Sequence, residues 1–234
     1  MENSKGREIH QLALAKQEAG EFLEALKLEM EAMVAYQEAG DLDGFAEIFA
    51  MLRLTINHLR EKTGFGPYLI LAKHFAMASV EMAKTHGQPG EDAIPLFNLA
   101  KTQLDLGETT EAVASFKAAV TALEAQPGNR HYRQSVLADM RNYLAVAEYK
   151  AGDQTALTRA EGAIAELEGT TDASNYEKGV WMSGGYMRMA EAIGPSDMSR
   201  ARELMARAKQ IIDADPNLKL RRDQWRELAE RLGV

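Results

Sequence analysis

The sequence predicts an all-α chain of five helical hairpins and one C-terminal capping helix, stacked as a solenoid. Three observations carry this. Ala, Leu, Glu, Lys, Gln and Met, all good helix formers, dominate the 234 residues, while aromatic residues make up only 7%. The string Leu12-Ala13, six residues, Gly20-Glu21 recurs as Leu99-Ala100, six residues, Gly107-Glu108, and again as Leu144-Ala145, six residues, Gly152-Asp153. The same spacing joins Ile56 to Gly64 and Tyr186 to Gly194, so the first positions 12, 56, 99, 144 and 186 lie 44, 43, 45 and 42 apart.

Each unit reads as two helices with its glycine between them. Gly suits the left-handed position just past a helix C-terminus, and the acid after it suits the next N-terminus. The spacing predicts helices near 6–19 and 21–39, 43–62 and 67–86, 93–106 and 109–125, 130–151 and 154–168, and 174–193 and 197–214. The hairpins are therefore 6–39, 43–86, 93–125, 130–168 and 174–214, in a single domain spanning 1–234. In the second, Gly64-Phe65-Gly66-Pro67 lengthens the turn. In the third, Leu96, Leu99, Gln103 and Leu106 form one stripe at helical spacing, and Ala112, Phe116, Ala119, Val120 and Leu123 form its partner. Pro127-Gly128-Asn129 ends the third unit and Asp215-Pro216-Asn217 the fifth, while Gly169-Thr170-Thr171-Asp172 reads as a loop. The last helix, 217–232, places Leu218, Trp225, Leu228 and Leu232 on one face and Arg221, Arg222, Arg226 and Glu230 elsewhere, as expected of a cap.

Leu96, Leu99-Ala100 and Gln103, then Ala112, Phe116, Ala119 and Pro127, resemble the tetratricopeptide repeat (TPR) order W-x2-LG-x2-Y, A-x3-F, P, with the first aromatic, the glycine and the tyrosine replaced. The first copy repeats the pattern in Ile9, Leu12-Ala13, Lys16, Ala25, Glu29 and Ala32, and the fifth in Ala201, Met205, Ala208 and Pro216. The period of about 44 residues exceeds that family's 34 and is similar to the lengthened repeats of kinesin light chains and some bacterial regulators. The resemblance implies a right-handed superhelix that acts as a binding scaffold.

Composition excludes other classes. Zero cysteines remove disulfides, thiolate catalysis and Cys-based zinc sites, and a net charge of −8 argues against a general nucleic-acid binder. No glycine-rich phosphate loop, GxSxG or HExxH occurs, and histidines 10, 58, 74, 86 and 131 include no pair at i, i+3 or i+4. No catalytic residue, cofactor or metal site is expected. Without a signal-like N-terminus or a membrane-length apolar run, the expected location is the cytoplasm. From 198 to 234 there are nine bases against six acids, read as solvated helix faces more simply than as a contact for an acidic partner or nucleic acid. The twelve methionines are read as core filling more simply than as an adaptable binding surface.

In the family resembled, the first helix of each hairpin lines the concave surface, and positions two before, one before and two after the repeat Leu point inward. The resemblance thus implies His10, Gln11 and Leu14, then Leu54, Thr55 and His58, then Phe97, Asn98 and Lys101. Asn142, Tyr143 and Val146 follow, then Gly184, Gly185 and Arg188, with Trp181 and Tyr149 one turn away. His58, Lys101 and Arg188 share one offset and form a broken basic stripe suited to an acidic peptide or a C-terminal carboxylate. Asn98 and Asn142 would bond the peptide backbone, and Phe97, Tyr143 and Trp181 would pack its side chains. Three bases in five slots also arise by chance in a chain that is 26% charged. The expected function is a non-enzymatic adaptor for a protein or peptide partner. A self-assembling structural module, and a peptide-sensing regulator with a separate output domain, are the alternatives.

Overall fold

The computed structural model describes residues 5–234, and among them eleven α-helices and no strands occur. The chain divides into two compact units, Met1–Asn129 and Arg130–Val234. The first holds α1 (Lys5–Glu18), α2 (Phe22–Ala39), α3 (Leu42–Thr63), α4 (Pro67–His86), α5 (Ala93–Asp105) and α6 (Thr109–Glu124). The second holds α7 (Gln134–Lys150), α8 (Ala156–Gly169), α9 (Asn175–Ile193), α10 (Met198–Ala214) and α11 (Lys219–Leu232). Consecutive helices pack as the hairpins α1–α2, α3–α4, α5–α6, α7–α8 and α9–α10.

Alanines set the helix separation. Ala13, Ala25 and Ala32 in the first hairpin, Ala100, Ala112 and Ala119 in the third, Ala156 and Ala160 in the fourth, and Ala190, Ala201 and Ala208 in the fifth are all fully buried. Larger residues fill between them, Phe116, Leu123, Ile164 and Leu204 among them. Each such side chain contributes about 1.5–3 kcal/mol through its burial. Gly20, Gly64, Gly107 and Gly152 have φ of +76°, +69°, +78° and +109°, the left-handed turn expected of them. Gly194 departs from the pattern, with helical φ of −47°, and the chain turns instead through Gly194-Pro195-Ser196 before the Asp197 carboxylate caps α10.

The sequence expectation for α7 is corrected here. Helix α7 begins at Gln134 rather than near 130, because Arg133 is extended and the cap comes from a distant loop. The Asp172 carboxylate accepts the amide N–H groups of Gln134 at 2.6 Å and Ser135 at 3.2 Å. Leu12, the first repeat position, is 58% exposed, whereas the matching Ile56 is buried against Phe22 and Leu26 of the preceding hairpin. No hairpin precedes α1 among the described residues.

The first unit holds two tight features. The buried Tyr36 ring lies between α1 and α3, and a Cβ on Gly44 would sit 2.2 Å from Tyr36 Cε1, one on Gly6 2.6 Å from Cδ1. The Tyr36 hydroxyl lies 2.9 Å from His10 Nδ1. Beside it, Gln17 Nε2 donates to Thr55 Oγ1 at 2.8 Å, and Thr55 Oγ1 donates to Glu29 Oε1 at 2.5 Å. Glu29 is fully buried with its Oε2 unbonded. Burial pushes its carboxyl from 4.5 up to about 7 against the opposing Thr55 hydrogen bond. The second unit has one larger core, in which Leu228 and Ala229 of α11 close over Met189, Ile193, Leu204 and Met205, and Trp225 Nε1 donates to the Met205 carbonyl at 2.9 Å. Met140, Met187, Met189 and Met205 are buried core, while Met30 and Met77 are exposed.

Replacing Gly44 by Ala forces Tyr36 or α3 to shift, and a lower urea midpoint is expected, corresponding to a loss of about 1–3 kcal/mol. Glu29 supplies a pH dependence of stability. The folded chain keeps that proton up to about pH 7 while the unfolded chain releases it near 4.5, so stability falls as pH rises between those values and levels off above them. Glu29→Gln should abolish that slope and be more stable than the parent at pH 8 by about 3 kcal/mol, read from urea unfolding at pH 5 and 8.

Candidate functional site

In the first unit, Phe97, Asn98 and Lys101 lie on α5 and His58 on α3. Lys101 Nζ sits 4.6 Å from the centroid of the Phe97 ring one turn earlier, a cation laid over an aromatic face. Phe97 itself is buried, its ring 5.6 Å from that of Phe116 in α6. It packs the hairpin and presents no open face to a ligand side chain. Asn98 is half-buried, and its carbonyl accepts from Thr102 Oγ1 at 3.1 Å. His58, on α3, stacks on Phe22 with ring centroids 5.0 Å apart, and its Nδ1 lies 3.3 Å from Glu61. Thr55, which the offset sends inward, belongs instead to the buried Gln17–Thr55–Glu29 chain.

In the second unit, α9 packs between α7 and α11, and the expected residues converge there. The Arg188 guanidinium lies 3.4 Å from the centroid of the Tyr143 ring, and its Nη2 donates to Asp139 Oδ1 and Asn142 Oδ1, each at 2.9 Å. Asn142 is buried and spends its Nδ2 on the Ala160 carbonyl at 3.0 Å. It orients Arg188 and is not available to a peptide backbone. Trp181 is half-buried beneath Arg133, whose guanidinium carbon lies 5.3 Å from the ring. Arg133 also binds Glu177 at 3.0 Å, and the Ser174 N–H and hydroxyl together with Arg133 hold Glu177 down to about 2. Val146 is buried in the core.

Helix α11 supplies a residue that the sequence reading set on its outer face. Arg221 turns inward: its Nε donates to the Val180 carbonyl at 3.1 Å and its Nη1 to Gln224 Oε1 at 2.6 Å. Arg222 also turns back, donating to the Ile212 carbonyl at 3.1 Å. Four of the nine C-terminal bases pair with carboxylates, Arg200 with Glu161 and Glu203, Lys209 with Asp213, Arg226 with Asp223 and Arg231 with Glu191. The groove of about 320 Å³ between α7 and α8 is similarly spent, with Arg141 on Glu166 and Arg159 on Glu148 at 2.8 Å each. Among the described residues no group of three or more His, Asp or Glu could hold a metal ion, and no helix is long and apolar enough to cross a membrane.

No family model matches the chain, and no curated protein matches it in sequence. Solved structures do. BtubC (BKLC) from P. vanneervenii superposes with a TM-score of 0.63 at 21% identity, over 88% of this chain and 79% of that one. The putative kinesin light chain of Podosopora anserina, with nearly identical TPR-like repeats, gives a TM-score of 0.60 at 17% identity, over 92% of this chain and 100% of that one. Its Q17M form gives 0.61 at 18%, over 91% and 97%. The chain has a TPR-like repeat fold. The first-helix surfaces of this fold are the ones just described.

Sequence reasoning missed Asp139 and Arg221. The signal that could have found them is Gly184-Gly185, two glycines inside a helix with no turn to require them. A Cβ on Gly185 would lie 3.0 Å from Ile164 Cδ1 and 3.2 Å from Asn142 Oδ1, and one on Gly184 would meet both Arg188 and Arg221. The Arg188–Asp139 pair has side chains only 17% and 11% exposed. Asp139→Ala leaves the guanidinium without its carboxylate and should lower stability by about 1–3 kcal/mol in urea unfolding.

Proposed function

We propose that this TPR-like chain is a non-enzymatic scaffold, acting in the cytoplasm, that binds a peptide segment of a protein partner along the first helices of its hairpins. The observation that carries this reading is the cation laid over an aromatic ring on those helices in both units, Lys101 on Phe97 and Arg188 on Tyr143. Such a pair offers a positive charge already oriented and an apolar stem beside it, a match for an acidic side chain or a C-terminal carboxylate flanked by apolar residues. Asn98 adds polar contact in the first unit, where His58 lies on α3, and Trp181 adds apolar contact in the second.

A self-assembling module is a second reading, favoured by the apolar surface of α1 and α2. Met30 and Val34 are exposed there and, with Ile9 and Ala35, line a groove of about 470 Å³. Light scattering over a hundredfold range of concentration separates the two readings, since a constant monomer mass excludes assembly.

For the scaffold, lysate capture is compared between the parent and a Lys101→Glu/Arg188→Gln double variant whose helicity is verified by circular dichroism. Recovery of the partner should fall about tenfold or more, as the loss of a desolvated charge contact costs about 2 kcal/mol or more. Identical capture by both proteins would overturn the reading.

A further inference from the structure

Two guanidinium groups from different helices meet at one point of the second unit. A Cβ built on Gly184 would lie 3.3 Å from Arg188 Nη1 and 3.3 Å from Arg221 Nη2, so both guanidinium groups pack closely over this glycine on α9. Three of their other four nitrogens are committed. Arg188 Nη2 goes to Asp139 and Asn142, Arg221 Nε to Val180, and Arg221 Nη1 to Gln224. Arg188 Nε is buried without a hydrogen bond. The atoms left facing Gly184 are the two N–H2 ends, Nη1 of Arg188 and Nη2 of Arg221.

The charge at this place does not balance. Two guanidinium groups, which stay ionised in proteins, face one bonded carboxylate, Asp139. Burial lowers the Arg221 pKa below its ordinary value and the Arg188 charge acts the same way, while Tyr143 and Asp139 oppose them. A partly buried cation pair with a surplus of one positive charge is stabilised by one added negative charge. A carboxylate carries that charge on two oxygens, matching two N–H2 ends. A phosphate dianion would leave a net negative charge beside Asp139.

We propose that Arg188 Nη1 and Arg221 Nη2 together bind a carboxylate of a peptide lying across α7, α9 and α11, supplied by an acidic side chain or by the peptide's C-terminus. This rests on the scaffold reading above and makes α11 part of the binding surface, in addition to its place over the core. The Tyr143 ring beneath Arg188 supports the guanidinium, and Gly184, without a side chain, lets both guanidinium groups come together over α9.

The test is a titration of the full ¹⁵N-labelled chain with sodium acetate and, in parallel, with inorganic phosphate. Arginine Nε–H and Gly184 and Gly185 amide resonances are followed. Saturable shifts with acetate are expected, and Arg221→Gln should weaken the apparent affinity at least fivefold while its spectrum stays dispersed. Gly184→Ala, whose Cβ presses on both guanidinium groups while favouring helix, is the second variant and should weaken acetate binding similarly if Arg221→Gln loses its fold. Absent saturation, unchanged affinity in the folded variants, or phosphate saturating at lower concentration than acetate would each overturn the carboxylate site. Two short peptides then separate the sources: one with an internal Glu and an amidated end, one without acidic residues and with a free C-terminus. Failure with acetate while partner capture still depends on Lys101 and Arg188 removes this site alone. Loss of that dependence removes the scaffold reading.

Discussion

The close approach of paired helices through alanine is the constraint on which the rest of each unit depends. Where Ala13 faces Ala25 and Ala32, or Ala190 faces Ala201 and Ala208, a larger side chain would push the backbones apart, and a packed interior absorbs even a methylene poorly. Closing the helices fixes where the flanking large residues go. Phe116, Ile164 and Leu204 then fill the space that remains, and the polar residues of the first helices are held in a fixed phase. Arg188 can lie flat on Tyr143 only because α7 and α9 run close together, and Gly185 is one reason they do.

Much of this was legible in the sequence because both of its signals are local. The period of about 44 and the turn glycines depend on residues within one hairpin, and the helix boundaries fall within a few residues of the spacing that they predict. The exceptions are set from a distance. The start of α7 is chosen by Asp172, nearly forty residues later, and nothing between 130 and 134 announces it. Gly194 keeps helical geometry because the following Pro-Ser-Asp, with Asp197 on the Arg200 amide, makes the turn without it. Glu29 occupies a position where the third copy has Phe116 and the fifth Met205, and only its fully buried surroundings reveal a carboxyl that holds its proton near neutrality.

The candidate site was less legible. An offset carried along a helix gives direction but not depth, so Phe97 and Asn142 were placed on the correct helices yet lie below the surface rather than on it. What they do instead is supportive: Phe97 is the platform for Lys101, and Asn142 is the acceptor that aims Arg188. Arg221 escaped because an arginine on a terminal amphipathic helix reads as solvated charge. Paired mid-helix glycines cost helix propensity of about 1 kcal/mol each, and that expense without a turn was the available sign that something packs against them.

The ties at the entrance of the second unit bear on how it comes apart. Asp172 holds the first amides of α7, and Arg133, the residue before α7, grips Glu177, which in turn closes the capping box with Ser174 at the start of α9. Helix ends ordinarily fray one at a time. Here the Arg133–Glu177 pair ties the residue before α7 to the capping box of α9, so loosening one start removes a contact of the other, and the protection of the two first turns against hydrogen exchange should be correlated.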